Sequence, residues 1–219
     1  MFENRIEAGQ RLGQRLAELE VESPVILGLP RGGVPVAAEV ARIMDAPLDV
    51  IVVRKLGVPF HPEYAMGAIG EGGVRFVDWQ VVAETGVTAT ELARVIDQES
   101  LELRRRAAQF RIAQARIDIS GRVVVIVDDG MATGSTATAA IRVARDLGAK
   151  LVIVASPVAP QDTIKLLQRI ADAVVVLETP PSFRAVGQVY VDFSPTSDEQ
   201  VISILSRNRL KVVDLSRSA

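Results

Sequence analysis

A chain of 219 residues, 48% hydrophobic and 24% charged, is long enough for one generous domain with a buried core and is ordinary for an α/β protein. The absence of cysteine excludes disulfides, thiolate nucleophiles and Cys-ligated metal, and fits a reducing cytosol. A formal net charge of −2 gives no overall field to draw nucleic acid, and no apolar run reaches the roughly 20 residues of a membrane-spanning helix.

In chain order, FENRIEAGQRLGQRLAELE comes first, with Phe2, Ile6, Leu12, Leu16 and Leu19 on one face of an amphipathic helix. It lacks the basic start and apolar block of a signal peptide, so the expectation is a cytoplasmic protein. Five β-branched runs follow: Val25–Leu29, Leu48–Val53, Val123–Val127, Leu151–Ala155 and Val174–Glu178. Each is apolar almost throughout instead of alternating, which predicts parallel strands buried on both faces. Helical patterns at Pro35–Met44, Ser135–Leu147 and Pro160–Ala171 separate them, the arrangement of a doubly wound sheet. The interval from about 57 to 120 departs from this rhythm. Ala65–Gly70 and Val74–Val77 flank Glu71-Gly72-Gly73 as a hairpin, and Thr88-x-x-Glu91 is a capping box opening a long helix with Leu92, Ile96, Leu103, Ala107 and Phe110 on one face. This excursion is expected to form a hood over a site or a dimer surface. Arg104, Arg105, Arg106, Arg111 and Arg116 read as the solvated face of that helix, partly paired with Glu99 and Glu102. The whole chain, 1–219, reads as a single domain with its core at about 20–180 and a C-terminal segment, 180–219, over the site.

VVVIVDDGMATGST, residues 123–136, carries the chemistry. A strand, a glycine turn and a helix start place backbone N–H groups and a helix N-terminus at the carboxyl edge of the sheet, which is a phosphate site. Thr133, Ser135 and Thr136 add hydroxyls, and Gly130 and Gly134 allow close approach. A P-loop is excluded, because these glycines enclose three residues and Ser135 stands where Lys is required. The dinucleotide fingerprint is absent as well. Asp128 and Asp129 would repel a phosphate placed directly on them, so they must face hydroxyls or a metal. A sugar 5′-phosphate meets both demands. The plainer alternative is an acid pair that only caps the following helix. A second strand, glycine turn and helix, VILGLPRGGVP at residues 25–35, repeats the logic around Arg31, Gly32 and Gly33. Two such turns at the switch point of a doubly wound sheet suit a ligand with phosphate at both ends.

VVVIVDDGMATGST resembles the signature of type I phosphoribosyltransferases for 5-phosphoribosyl 1-pyrophosphate (PRPP), and LPRGG is similar to their pyrophosphate loop. GLPRGGVPVA, RKLGVPFHPEYAMGAIGEGG and FRAVGQVYVDF resemble, more narrowly, a bacterial stand-alone group of unassigned substrate. The resemblance implies strand order 2-1-3-4-5 for the five core strands. It implies that Asp128 and Asp129 hold the ribose hydroxyls, that Ala132, Thr133, Gly134, Ser135 and Thr136 wrap the 5′-phosphate, and that Arg31, Gly32 and Gly33 bind pyrophosphate through an unusual cis peptide. Arg54 and Lys55 would act as catalytic cations on the leaving pyrophosphate, in VVRKLGVP, which corresponds to the family's flexible catalytic loop. Phe183 and Val186 are the implied base-binding residues, Asp192 a distant metal contact, and Mg²⁺ a cofactor held mainly by substrate. Purine-salvage members carry an acid where this chain has Ala132, which puts purine use in doubt. His61, the single histidine, lies between Phe60 and Pro62 as either a base or an exposed loop residue.

The expected function is therefore transfer of ribose 5-phosphate from PRPP to a nitrogenous acceptor, with Mg²⁺ and release of pyrophosphate. The partners are PRPP and that acceptor, with no nucleic acid, no membrane and a possible homodimer. The alternative is a non-catalytic PRPP or nucleotide sensor that keeps the ribose-phosphate grip.

Overall fold

Valine- and isoleucine-rich runs with no polar face become strands only where both faces are covered. The computed structural model describes residues 1–217, with side chains through residue 208. In chain order its elements are α1 (Arg5–Ala17), β1 (Val25–Gly28), α2 (Gly33–Ile43), β2 (Leu48–Val50), β3 (Val53–Val58), β4 (His61–Gly70), β5 (Arg75–Val77), α3 (Trp79–Thr85) and α4 (Ala89–Arg111). There follow β6 (Val123–Val127), α5 (Ser135–Asp146), β7 (Leu151–Val158), α6 (Gln161–Leu167), β8 (Ala173–Glu178), a 3-10 turn at Val186–Val189 and α7 (Asp198–Arg217).

Five strands form a parallel sheet in the order β2-β1-β6-β7-β8, the expected 2-1-3-4-5. Successive residues of each strand feed opposite sides of it. Ile26, Val125, Val127, Ile153 and Ala155 join a core with Leu12, Leu16, Val36 and Val40, while Val25, Leu27, Val124, Ile126 and Val154 join another with Ala140, Ile141 and Ala144 of α5. Strand order reverses between β1 and β6, which pair with Gly28 opposite Val127. Both carboxyl ends therefore open on one crevice, the usual ligand position in such sheets.

The run Leu48–Val53 is two elements, not one strand. The chain leaves the parallel sheet after Val50, and Val53–Val58 starts an antiparallel sheet of order β3-β4-β5. Ile51 and Val52 are buried between the two, so hydrophobicity continues unbroken across a change of pairing partner. The hood thus starts at Val53 and has three strands where the turn signals predicted a two-stranded hairpin. Thr88 and Glu91 do form a reciprocal capping box, and α4 buries Leu92, Leu103, Ala107 and Phe110.

The arginine cluster is not uniformly solvated. Arg105 and Arg106 pair with Glu102 on the surface, as expected of helix neighbours. Arg111 instead turns inward: Nη1 donates to Asp49 Oδ1 at 2.6 Å, Nη2 to Glu71 Oε2 at 2.7 Å, and Nε to Glu71 Oε1 at 2.8 Å. Asp49, on β2, is only 1% exposed and also accepts the Ile117 N–H at 2.9 Å. Burial works against the Arg111 charge, but the Glu71 hydrogen bonds and the Asp49 charge outweigh it and raise the pKa. One guanidinium so ties the core sheet, the hood and α4 together. Among the described residues no helix is long and apolar enough to cross a membrane.

Candidate active site

The turn after β6 is shaped by its backbone. Met131 N–H donates to Val158 O at 2.9 Å, and Thr163 Oγ1 of α6 donates to Ala132 O at 2.6 Å. Gly134 begins α5 at φ +71, a left-handed conformation that favours glycine, and an added Cβ would come within 2.9 Å of Thr163 Cγ2. As a cap residue it has no side chain to offer, and Thr133 Oγ1 shares a hydrogen bond with Ser135 Oγ at 2.9 Å and accepts from a single helix amide, the Ser135 N–H, at 3.4 Å. The first turn of α5 therefore presents amide donors beside the exposed Ala132, Thr133 and Thr136, an arrangement that attracts a phosphate.

The turn after β1 has the same character. Its Pro30–Arg31 peptide is cis, and Gly32 begins α2 with no side-chain cap. Leu29 N–H donates to Val127 O at 2.8 Å and Gly33 N–H to Leu29 O at 3.1 Å, which binds this loop to the end of β6. Gly32 lies against the Asp129 carboxylate, where any Cβ would overlap it, and a Cβ on Gly33 would sit 2.6 Å from Val127 O. Two uncapped helix starts thus share a border, with two acids on it. The Arg31 side chain is 54% exposed and reaches Asp198 at 4.0 Å.

Those acids occupy different environments. Asp128 keeps partial surface exposure, but its carboxyl is densely surrounded, and Oδ1 accepts the Asp129 N–H at 3.0 Å. Burial first, and then the Asp129 charge, push its pKa well above the carboxylate range. Asp129 is paired: Arg5 Nε donates to Oδ2 at 2.8 Å. An acid whose folded pKa is raised holds its proton longer folded than unfolded, so stability falls as pH rises through that window. Asp128→Asn removes this penalty, and we expect the Tm at pH 8 to rise by about 2–4 °C, the equivalent of about 1 kcal/mol, with the gain vanishing toward pH 4. Calorimetric melting across that range checks it.

The hood brings its two cations to opposite faces. Arg54 and Lys55 are consecutive on β3, and side chains alternate along a strand. Arg54 turns toward α4, where it pairs with Glu99 at 2.6 Å. Lys55 shares its face with Val53, which packs against the cluster containing α5, and its Nζ lies 3.4 Å from Glu63. The VVRKLGVP stretch, expected to belong to a flexible loop, instead forms β3, whose end faces the start of β4, and His61 is exposed at that start, opposite Val58.

The C-terminal stretch crosses the acids. Val186 fills the space beside Gly130, which a Cβ there would claim. Tyr190 donates its hydroxyl to Asp129 O at 2.6 Å. Phe183 is partly buried against a small cluster that includes Phe2, Val158 and Tyr190. Asp192 is exposed, and hydrogen bonds from Ser194 Oγ (2.6 Å) and N (2.9 Å) hold its carboxylate below the ordinary range. From Asp198 onward the chain leaves the site, with Val201 and Leu205 of α7 buried in the main core.

A family model described as the phosphoribosyl transferase domain matches residues 4–194. The chain belongs to that family. A Mycobacterium tuberculosis protein named provisionally as a phosphoribosyl transferase is 53% identical over 207 residues, covering 94% of this chain and 47% of the relative. The chain therefore spans about half the length of the curated relatives it matches. The crystal structure of TT1426 from Thermus thermophilus superposes with a TM-score of 0.87 at 43% identity, covering 94% of this chain and 98% of that one. Escherichia coli amidophosphoribosyltransferase is 24% identical over 158 residues, 71% of this chain and 25% of its own.

For this phosphoribosyl transferase domain, the structure brings Asp128, Asp129, residues 132–136 and residues 31–33 to one crevice, with Val186 at its edge. It does not bring Arg54 and Lys55 to one point. Arg5, Thr163 and Tyr190 touch the site and escaped the sequence reading. Arg5 lies 124 residues from its partner, and no periodicity could signal it. Among the described residues no group of three or more His, Cys, Asp or Glu side chains is placed to hold a metal ion.

Proposed function

We propose that the chain transfers the 5-phosphoribosyl group of PRPP to a nitrogenous acceptor and releases pyrophosphate. The observation carrying this reading is the pair of uncapped helix starts on adjacent strand ends with two acids between them. A ligand that matches it has two anionic ends and hydroxyls in the middle. The 5′-phosphate takes the α5 amides and the hydroxyls of Thr133, Ser135 and Thr136. Pyrophosphate takes the α2 start, Gly32, Gly33 and the Arg31 side chain. Asp128 and Asp129 accept from the ribose hydroxyls. Mg²⁺, bound with the substrate, neutralises pyrophosphate charge.

The bond from the anomeric carbon to the pyrophosphate oxygen breaks with its electron pair leaving on that oxygen, and the acceptor nitrogen donates a lone pair to the carbon. Charge grows on the leaving group, so donors already aimed at that end contribute most to the rate. Val186 and Phe183 border the side where a planar acceptor would lie. The acceptor class is open between an oxopyrimidine and a less common amine or base, since Ala132 offers no acid for a purine proton.

Calorimetry and thermal melting test the ligand. PRPP with Mg²⁺ should bind with a Kd between about 1 μM and 1 mM. At one hundred times Kd it should raise stability by about 2.7 kcal/mol, or roughly 5–10 °C in Tm. Neither heat nor a Tm shift with well-folded protein would overturn the proposal.

A further inference from the structure

We propose that Arg5 is a positioning residue of the ribose site: it fixes the Asp129 carboxylate so that its remaining oxygen is presented to a ligand hydroxyl. The inference rests on the PRPP reading above. Arg5 is the first residue of α1, in the turn where the helix macrodipole disfavours a cation. Asn4 already caps that turn, accepting from Ile6 N–H at 2.9 Å and Glu7 N–H at 3.1 Å, so helix formation gives no reason for a cation there. The Arg5 side chain is nonetheless only 11% exposed and meets three partners. Nε donates to Asp129 Oδ2 at 2.8 Å, Nη1 to Ser194 O at 2.7 Å, and the guanidinium lies 4.0 Å over the Phe193 ring.

These contacts close a circuit around one acid. Phe193 stacks on Tyr190 with centroids 5.0 Å apart, and the Tyr190 hydroxyl donates back to Asp129 O. The platform is held by backbone pairing between the two ends of the chain: Phe2 N–H to Val189 O at 2.7 Å, Val191 N–H to Phe2 O and Asp192 N–H to Glu3 O, both at 2.8 Å. Asp129 is thereby restrained at its carbonyl and at Oδ2, and its carboxylate rests on Gly32 of the other loop. Of its carboxylate oxygens Oδ2 takes the Arg5 hydrogen bond, and the neighbouring Asp128 carboxyl is close enough to share a hydrogen bond with the same carboxylate. An ion pair serving only to join the chain ends could finish on any surface acid. This one finishes on the acid between the two phosphate turns. A carboxylate fixed in advance loses less freedom when it meets a hydroxyl.

The test compares Arg5→Met and Arg5→Lys with the wild-type full chain, measuring affinity for Mg²⁺-PRPP and for Mg²⁺-pyrophosphate, which lacks the ribose. Arg5→Met should weaken PRPP by about 10- to 100-fold, the scale of a charge-assisted hydrogen bond, and leave pyrophosphate within about twofold. Arg5→Lys should recover part of the loss, since it keeps the charge but not the Nε direction. Should Arg5→Met fail to fold, Phe193→Leu keeps every charge and removes the ring; it should weaken PRPP by about two- to fivefold, again sparing pyrophosphate. Unchanged PRPP affinity in the variants, or equal losses for both ligands, would overturn the positioning role. A wild type that binds pyrophosphate but not PRPP would instead overturn the reading on which it rests.

Discussion

Lys55→Ala should lower the rate of pyrophosphate release by about 10²-fold or more while PRPP affinity stays within about tenfold. Lys55 lies on the β3 face that packs toward α5, the helix that starts at the turn after β6, and its only partner among the described residues is the exposed Glu63. An exposed pair of this kind contributes little, so the ammonium is available to a developing charge. Its interaction strengthens as the bond breaks, which places the loss in turnover and not in ground-state binding. Arg54→Ala should behave differently, because Arg54 is committed to Glu99 on the opposite face and supports the seat of the hood. Initial rates with saturating PRPP, alongside calorimetric Kd values, separate the cases. Equal losses in rate and affinity for Lys55→Ala would reduce it to a grip on the ground state.

Arg111→Met should cost about 3–5 kcal/mol of stability, read as a fall of roughly 6–20 °C in Tm. The size comes from what is left behind. Asp49 is almost wholly enclosed, and without Nη1 its carboxylate keeps only the backbone N–H groups of Ile117 and its neighbour Val50, while Glu71 loses both of its guanidinium bonds. A buried carboxylate deprived of its cation is far costlier than a surface one. Arg105→Ala, which removes bonds to Glu102 and Gln109 on an open helix face, should leave stability nearly unchanged, because solvent screens an exposed pair. Denaturant melts of the two variants make the comparison, and similar losses would contradict the anchoring role of Arg111.

The parallel sheet was legible because its strands are apolar on both faces, and the turns because glycine must stand where a backbone nearly touches a carboxylate or a carbonyl. Gly32 and Gly33 are such places. What stayed hidden depends on where a side chain points. Arg54 and Lys55 are neighbours in sequence and read naturally as one clamp, yet strand alternation parts them. Nothing in the hydrophobic run from Leu48 to Val53 marks the step from β2 to β3, since Ile51 and Val52 are buried throughout the crossing. Arg111 read as one of five solvated arginines because its acids lie 62 and 40 residues away. Arg5 and Tyr190 reach Asp129 from opposite ends of the chain, a convergence that only the folded backbone makes visible.

Transfer is tested by pyrophosphate release from Mg²⁺-PRPP across a panel of pyrimidines, purines, other nitrogen bases and amines. Release should depend on one acceptor class, match the ribosylated product in amount, and be weak or absent for hypoxanthine and guanine. Tight PRPP binding with no release for any acceptor would contradict transfer and leave a PRPP sensor in its place.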